Sequence, residues 1–566
     1  MTDFLQTPPR LHNAWTSDHQ LRETVHFHLG DELFGQAEPE LGSMGELATR
    51  AETIALARQA ESEPPIHVPF SAWGERIDDI KVSSAYLELG RLGVEAGITA
   101  LPYEDSPYAS SARVVWAGLL ALWGPSSALY SCPVAMTDGA ARTLLEHGDL
   151  DDISVVGRLT TRDFASAWTS GQWMTETTGG SDVSRTQTVA RRGEDGSWRL
   201  HGTKWFSSAT TSEMALTLAR PEGAPEGSRG LSLFRIERSL PDGSRNAIIV
   251  RRLKDKLGTR ALPTAELDLQ GALAYPVGDP YDGGGLRRIA TMLNITRIHN
   301  SLGATGGMGR GLAYARSYAE VREVFGRPLH QMPAHRATLT SIAVDYAAAL
   351  ALTLRCCELL GKVEHGGASD HETALLRALT PLTKLATAKW AVASSAEVME
   401  SIGGVGYCED SGIPAYVRNT HVLPIWEGTT NVLSLDFLRA AARSGALEAI
   451  EQDVLSTLGS LTGGGRFDPS AVAEQVRGQL TELMARARAA IEDERGQFWV
   501  RWIALGITST YACTRLLAQG EWAAARGDDR TISAAMLMLN RGLTSGYISQ
   551  DVGLAFDEEP TRSDLT

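Results

Sequence analysis

Apolar residues recur at helical spacing early in the chain, most clearly over residues 85–101 and 112–122, with polar, proline-bearing stretches between them. Residues 1–170 are therefore expected to form a mostly helical domain. Near Gln172 the period changes. Residues 186–192 alternate, Gly193-Glu194-Asp195-Gly196 is a tight-turn signal, and residues 198–201 resume an extended pattern, which predicts a hairpin. Further extended stretches over 214–219, 231–236, 247–253 and 265–269, with proline and glycine between them, predict a central β domain over 171–282. From Leu286 onward helical spacing returns in long Ala- and Leu-rich runs over 302–323, 339–362 and 371–399, which predict a helical bundle over 283–440. Past a glycine-rich linker at 461–465, helical patterns over 471–493 and 498–517 predict a helical extension occupying 441–566. No internal repeat is present. The pattern as a whole reads as a multidomain α+β chain.

At 566 residues the chain is too long for one compact core, which agrees with several units. Its 43% hydrophobic and 21% charged residues are ordinary for a globular protein. The net charge of −15 argues against nucleic acid or an anionic membrane as the main partner, since both require a positive surface. No stretch approaches about 20 uninterrupted apolar residues, and the start, Met1-Thr2-Asp3-Phe4, lacks a basic segment followed by an apolar run, so a cytoplasmic location is expected. Five scattered cysteines without metal-ligand spacing read as buried thiols, and no metal site is expected.

The most informative segment is Ile425-Trp426-Glu427-Gly428-Thr429-Thr430-Asn431, where one carboxylate lies between a large ring and a small polar turn. Shielded from water, a carboxylate is held closer to protonation and can remove a proton from carbon, and the glycine lets another molecule approach. The plainer reading is a helix N-terminus with Thr429 or Thr430 as cap and Glu427 as a solvated charge. The segment from Met174 to Val183 combines hydroxyls with glycines and leaves backbone N–H groups open, which suits polar ring edges or phosphates; a self-bonded turn at Ser181 and Asp182 is its structural alternative. In Lys204-Trp205-Phe206-Ser207, Trp205 could stack on a planar cofactor and Ser207 offer it a hydrogen bond, although strand aromatics are more often core. The turn at Gly403-Gly404 and the helix end at Arg322 with Phe325 offer close approach, a guanidinium and a ring; helix capping and a surface ion pair are the alternatives. Gly303, Gly306, Gly307, Gly309 and Gly311 match a dinucleotide fingerprint in number only, because no strand precedes them.

In this order, the pieces resemble the acyl-CoA dehydrogenase flavoprotein superfamily from roughly residue 80 to residue 440. The block from Leu240 to Gly258, the long N-terminal region and the C-terminal extension look most like its AidB branch. The resemblance implies a helical N-terminal domain, a central β domain and a C-terminal four-helix bundle holding FAD. It places Met174, Thr175 and Ser181 at the flavin and its phosphates, Trp205 and Phe206 against the flavin face, and Ser207 near its N5. It puts Arg322, Phe325, Gly403 and Gly404 in the FAD site across a subunit interface. Trp426, Thr429 and Asn431 fall at the cofactor end of the terminal motif, Gly428 on the acyl side, and Arg297 beside the base on the substrate side. Some members carry their base just before that arginine, but Thr296 cannot do that work, which leaves Glu427.

The chemistry implied is α,β-dehydrogenation of an acyl thioester such as an acyl-CoA. Glu427 takes the α-proton, the β-hydrogen leaves as hydride to flavin N5, and the thioester carbonyl is bonded by a ribityl hydroxyl and the Glu427 N–H. An electron-transferring flavoprotein as acceptor and a homotetramer follow from the same resemblance. The alternatives are an AidB-type DNA-associated protective flavoprotein, or reuse of the fold for nitroalkane oxidation or a carrier-bound acyl group. The DNA reading meets an obstacle in residues 441–566, which hold 12 arginines, no lysine and 17 acidic residues, a net of −5.

Overall fold

The computed structural model describes residues 6–463 and 469–543. Seven helices make up most of the N-terminal part: α1 (Ala14–Ser17), α2 (His19–Leu47), α3 (Ala51–Ser62), α4 (Ser84–Glu95), α5 (Ala112–Trp123), α6 (Ser131–His147) and α7 (Leu150–Leu159). The apolar run of 112–122 becomes α5, buried along its whole length. The run at 85–101 is helical only to Glu95, where Ala96 caps it and Gly97 at φ 79° turns the chain.

Within this helical part lies an antiparallel hairpin absent from the sequence reading, β1 (Ile66–Phe70) and β2 (Arg76–Lys81). β1 does alternate, with Ile66, Val68 and Phe70 apolar, but Pro69 interrupts it, and β2, carrying Arg76, Asp78 and Asp79, has no apolar alternation to announce it. Asp78 instead supplies long-range anchorage. Its buried carboxylate accepts from His67 and Arg76, and from the Val250 N–H on the sheet edge.

The middle sheet comprises β3 (Ser170–Gln172), β4 (Val189–Arg192), β5 (Trp198–Ser208), β6 (Met214–Pro221), β7 (Ser232–Glu237), β8 (Ile248–Leu253) and β9 (Thr264–Pro276). The expected hairpin is β4–β5, paired from Val189 with His201 to Arg192 with Trp198. The ladder runs β6-β4-β5-β9-β7, and β7 pairs back onto β6, so five strands close into a barrel-like ring. Two strands attach outside that ring: β3 runs parallel to β6, and β8 pairs with β9.

Three long helices follow: α8 (Gly285–Val321), α9 (Pro333–Glu364) and α10 (Asp370–Ile402), joined by the short α11 (Ile413–Thr420) and by α12 (Thr430–Arg443). The glycine-rich run lies inside α8 and serves packing. A Cβ on Gly306 would sit 2.4 Å from the Ala121 carbonyl of α5, and one on Gly309 would sit 2.6 Å from the Tyr346 hydroxyl of α9. Helix α9 is, by length and composition, apolar enough to cross a membrane, contrary to the expectation from uninterrupted runs. Most of that stretch is buried among α8, α10 and the C-terminal helices, which makes it a core helix.

The C-terminal helices are α13 (Ala446–Ser460), α14 (Pro469–Glu492), α15 (Val500–Ala524) and α16 (Arg530–Asn540). They share the main core and are tied to α2 by Gln519, whose amide donates to Glu23 at 2.9 Å. Glu23, His19 and Asp528 are close enough to hold an ion. However, Glu23 already accepts from Gln519 and Thr531, and Asp528 pairs with Arg530.

Candidate active site

The Trp426–Gly428 turn connects α11 to α12 at the meeting point of two hydrophobic clusters. Trp426 packs against both, one shared by the helical bundle and one between α6, α7, the sheet and the start of α8. Its indole N–H donates to the Asn300 side chain on α8. Thr429 occupies the N-cap position of α12 without a side-chain cap, and Glu427 is half-buried, its carboxylate bonded by protein groups.

Glu427 has φ 56°, the left-handed region that costs a residue with a Cβ about 1–2 kcal/mol. Such strain persists only where the surroundings over-determine it. Its carboxylate accepts from the Thr296 hydroxyl at 2.7 Å on one oxygen and from the Gln172 amide at 3.4 Å on the other. Arg297 Nε lies 3.4 Å from the Glu427 carbonyl oxygen, while Nη1 pairs with Asp436 at 2.8 Å. This arginine is thus occupied by protein groups on the backbone side of the turn. The Glu427 N–H has no acceptor among the described residues.

Around this carboxylate, Gln172, Thr296, Asn300 and Lys384 are the residues that sequence reasoning missed or set aside. Thr296, useless as a base, is the hydroxyl that orients one. Lys384 on α10 is fully buried and donates at 2.7 Å to both the Trp426 and the Gly428 carbonyls. Burial pushes its pKa down to about 7, Glu427 opposing that shift and Arg297 adding to it. No local signal marks these residues, because their partners lie 42 to 255 positions away.

A second group forms where β3 leads into the loop after it. The Trp205 N–H on β5 donates to the Thr175 carbonyl at 2.9 Å, and a Cβ on Gly180 would meet the Thr175 side chain at 3.0 Å. The buried pair Lys204–Glu176, at 2.8 Å, pins this loop to the strand. Burial works to raise the Glu176 pKa, but Lys204 and the Thr188 hydroxyl outweigh it and hold it below the usual range. Met174 is core, Ser181 is exposed, and Phe206 is half exposed. One face of Trp205 is covered by the Lys254 ammonium, 3.4 Å from the ring centre.

The Ser207 hydroxyl is buried without a hydrogen-bond partner among the described residues. An orphan hydroxyl beside a partly buried indole and an open glycine loop suits a planar, polar-edged cofactor, because such a buried group costs free energy until something bonds it.

The remaining candidates lie apart. Phe325, at φ 52°, and Gly326, at φ 77°, form the tip of a two-residue hairpin between β10 (Glu323–Val324) and β11 (Arg327–Pro328). Positive φ at both tip positions is what a type I′ turn demands, and it leaves the Phe325 ring 97% exposed. Arg322 is exposed beside it, without an acidic partner among the described residues. Gly403, at φ 72°, ends α10, and a side chain on either Gly403 or Gly404 would meet nothing within 4 Å. No hydrogen bond, ion pair or ring contact among the described residues joins these four, or Asn431, to Glu427 or Trp205.

Three family matches cover most of the chain. Residues 6–165 match the adaptive response protein AidB N-terminal domain, residues 171–272 the acyl-CoA dehydrogenase middle domain, and residues 283–442 the acyl-CoA dehydrogenase C-terminal domain. The chain is 41% identical to acyl-CoA dehydrogenase family member 11 of Caenorhabditis elegans, over 91% of this chain and 85% of that protein. It is 35% identical to the putative acyl-CoA dehydrogenase AidB of Escherichia coli K12, over 75% and 77%. The crystal structure of C. elegans ACDH-11 in complex with C11-CoA superposes with a TM-score of 0.93 at 37% identity, covering 99% of this chain and 98% of that one.

Proposed function

We propose, from the premise that this chain belongs to the acyl-CoA dehydrogenase family, that it removes hydrogen from the α and β carbons of an acyl-CoA thioester with Glu427 as the base. The observation that carries this reading is a carboxylate fixed in a left-handed turn by Thr296 and Gln172, next to an unpartnered Glu427 N–H. Glu427 takes the α-proton, and its own N–H is available to bond the thioester carbonyl as negative charge develops there. Thr296 and Gln172 hold the carboxylate at one orientation, so little reorganisation is left for the transition state. FAD, when bound, accepts the β-hydrogen as hydride. Ser207, Trp205, Thr175 and the loop to Ser181 would hold its ring system. Arg322, Phe325, Gly403 and Gly404, remote from these within one protomer, would act across a subunit interface in a homotetramer. An electron-transferring flavoprotein as acceptor and a cytoplasmic location complete the reading.

The complex of the C. elegans relative with C11-CoA supports starting with an eleven-carbon chain. Undecanoyl-CoA incubated with the protein and an artificial electron acceptor is expected to lose two hydrogens and to acquire an α,β double bond, read by mass spectrometry. Unchanged thioester, over short, branched and long chains alike, would count against the reading.

A DNA-protective role ranks second, favoured by the AidB relative. Against it, three of the four arginines that could line one helical face are paired, Arg486 with Glu482, Arg488 with Glu451 and Arg495 with Asp493, which leaves Arg501 without an acidic partner among the described residues. Retention on duplex DNA at physiological salt, with a steep salt dependence, would reverse the ranking.

A further inference from the structure

Lys384 reaches from the middle of α10 to the turn that carries Glu427, and its only hydrogen-bond partners among the described residues are the Trp426 and Gly428 carbonyls, both at 2.7 Å. A fully buried ammonium is retained only where it is well bonded, and here two carbonyl oxygens converge on it. The Trp426 carbonyl belongs to the same planar trans peptide as the Glu427 N–H, so the two groups point to opposite edges of one rigid plate. Holding the oxygen on the Lys384 side therefore fixes the N–H on the other side, where it has no acceptor among the described residues. An amine N–H donated to the oxygen, charged or neutral, also polarises the peptide and strengthens its N–H as a donor. The second bond, to the Gly428 carbonyl, holds the far end of the turn, so the left-handed Glu427 at φ 56° sits between two anchored carbonyls.

We propose that Lys384 is a positioning residue for the dehydrogenation, aiming the Glu427 N–H at the thioester carbonyl and holding the Glu427 carboxylate over the α-carbon by clamping the peptides on both sides. The inference rests on the reading of Glu427 as base and goes beyond it in assigning the geometry of that base to an amine that touches no reacting atom.

The test compares the wild-type holoenzyme with Lys384→Met, Lys384→Gln and Glu427→Gln. A 3-arylpropenoyl-CoA serves as a non-reducible probe, because its absorbance moves to the red when a hydrogen bond polarises its thioester carbonyl. Lys384→Met is expected to keep its FAD and to bind the probe within about 3-fold of wild type, yet to lose most of the red shift and about 100-fold in the rate of flavin reduction at saturating acyl-CoA. Glu427→Gln is expected to lose the rate but keep the red shift, since its N–H is untouched. A Lys384→Met protein with the full red shift and a rate within about 3-fold of wild type overturns the proposal. If Lys384→Met does not hold FAD, Lys384→Gln decides: a lost red shift supports the clamp, and a full one overturns it. Should Glu427→Gln reduce flavin as fast as wild type, the reading of the base fails, while the red shift still decides the role of Lys384.

Discussion

Replacing Glu427 by glutamine is expected to leave FAD binding intact and to slow flavin reduction by acyl-CoA at least about 100-fold. The amide is the same size as the carboxylate, so the turn, its left-handed backbone and its contacts with Thr296 and Gln172 have no steric reason to move. The base itself is lost. The α-proton of a thioester is too weakly acidic to leave to water, and the Glu427 N–H, which survives the substitution, stabilises developing charge without removing a proton. Among the described residues, no other carboxylate or imidazole bonds to Thr296 or Gln172, so none of them is placed to substitute. Stopped-flow absorbance in the absence of oxygen checks this, and a variant that reduces flavin at the wild-type rate would remove Glu427 from the chemistry.

Replacing Arg113 by methionine is expected to destabilise the protein by about 3–5 kcal/mol, the largest effect foreseen outside the active site. Arg113 is 1% exposed and donates to Asp138 at 2.7 and 3.0 Å and to Glu364 at 2.8 and 2.7 Å. Asp138 bonds His299 as well, at 2.8 Å, so the cluster ties α5, α6, α8 and α9 together. Removing the guanidinium leaves Asp138 with His299 and the Tyr103 hydroxyl, and Glu364 with Arg142, so two buried carboxylates lose their best-bonded partner. Burial by itself would raise the Asp138 pKa, but Arg113 and His299 reverse that and hold it well below the usual carboxylate range. A depressed carboxylate pKa contributes stability that is present above the unfolded value, about 3.9, and is lost as pH falls below it. In the variant Asp138, left with His299 and the Tyr103 hydroxyl, instead takes up a proton more readily on acidification. The gap between the two proteins in urea midpoint is therefore expected to be widest near neutral pH and to shrink on the way down; a pH-independent gap would mean that lost packing, not stranded charge, carries the cost.

Period and punctuation were enough to locate β4 to β9 and the three long bundle helices, because each of those elements buries a face whose alternation or helical spacing is written locally. The β1–β2 hairpin was not legible because the apolar positions of β1 stay largely exposed and the strands are held by the buried Asp78, bonded to His67, Arg76 and the distant Val250, not by a buried apolar stripe. The same division runs through the site. Trp426, Glu427 and Gly428 drew attention through their unusual neighbours in sequence. Thr296, Gln172, Asn300 and Lys384 have ordinary neighbours and gain meaning only when β3, α8 and α10 converge on the turn. The glycines of α8 show the opposite hazard: a count that imitates a nucleotide loop, explained by the close approach of α5 and α9.

The most direct measurement is anaerobic mixing of the yellow holoprotein with short, branched and long acyl-CoAs, following the visible absorbance of its oxidised flavin. Bleaching by one class of thioester, within the time of a single turnover and absent in Glu427→Gln, is the predicted result. Full retention of the oxidised spectrum with every acyl-CoA, while FAD remains bound, would contradict dehydrogenation of an acyl-CoA at this site.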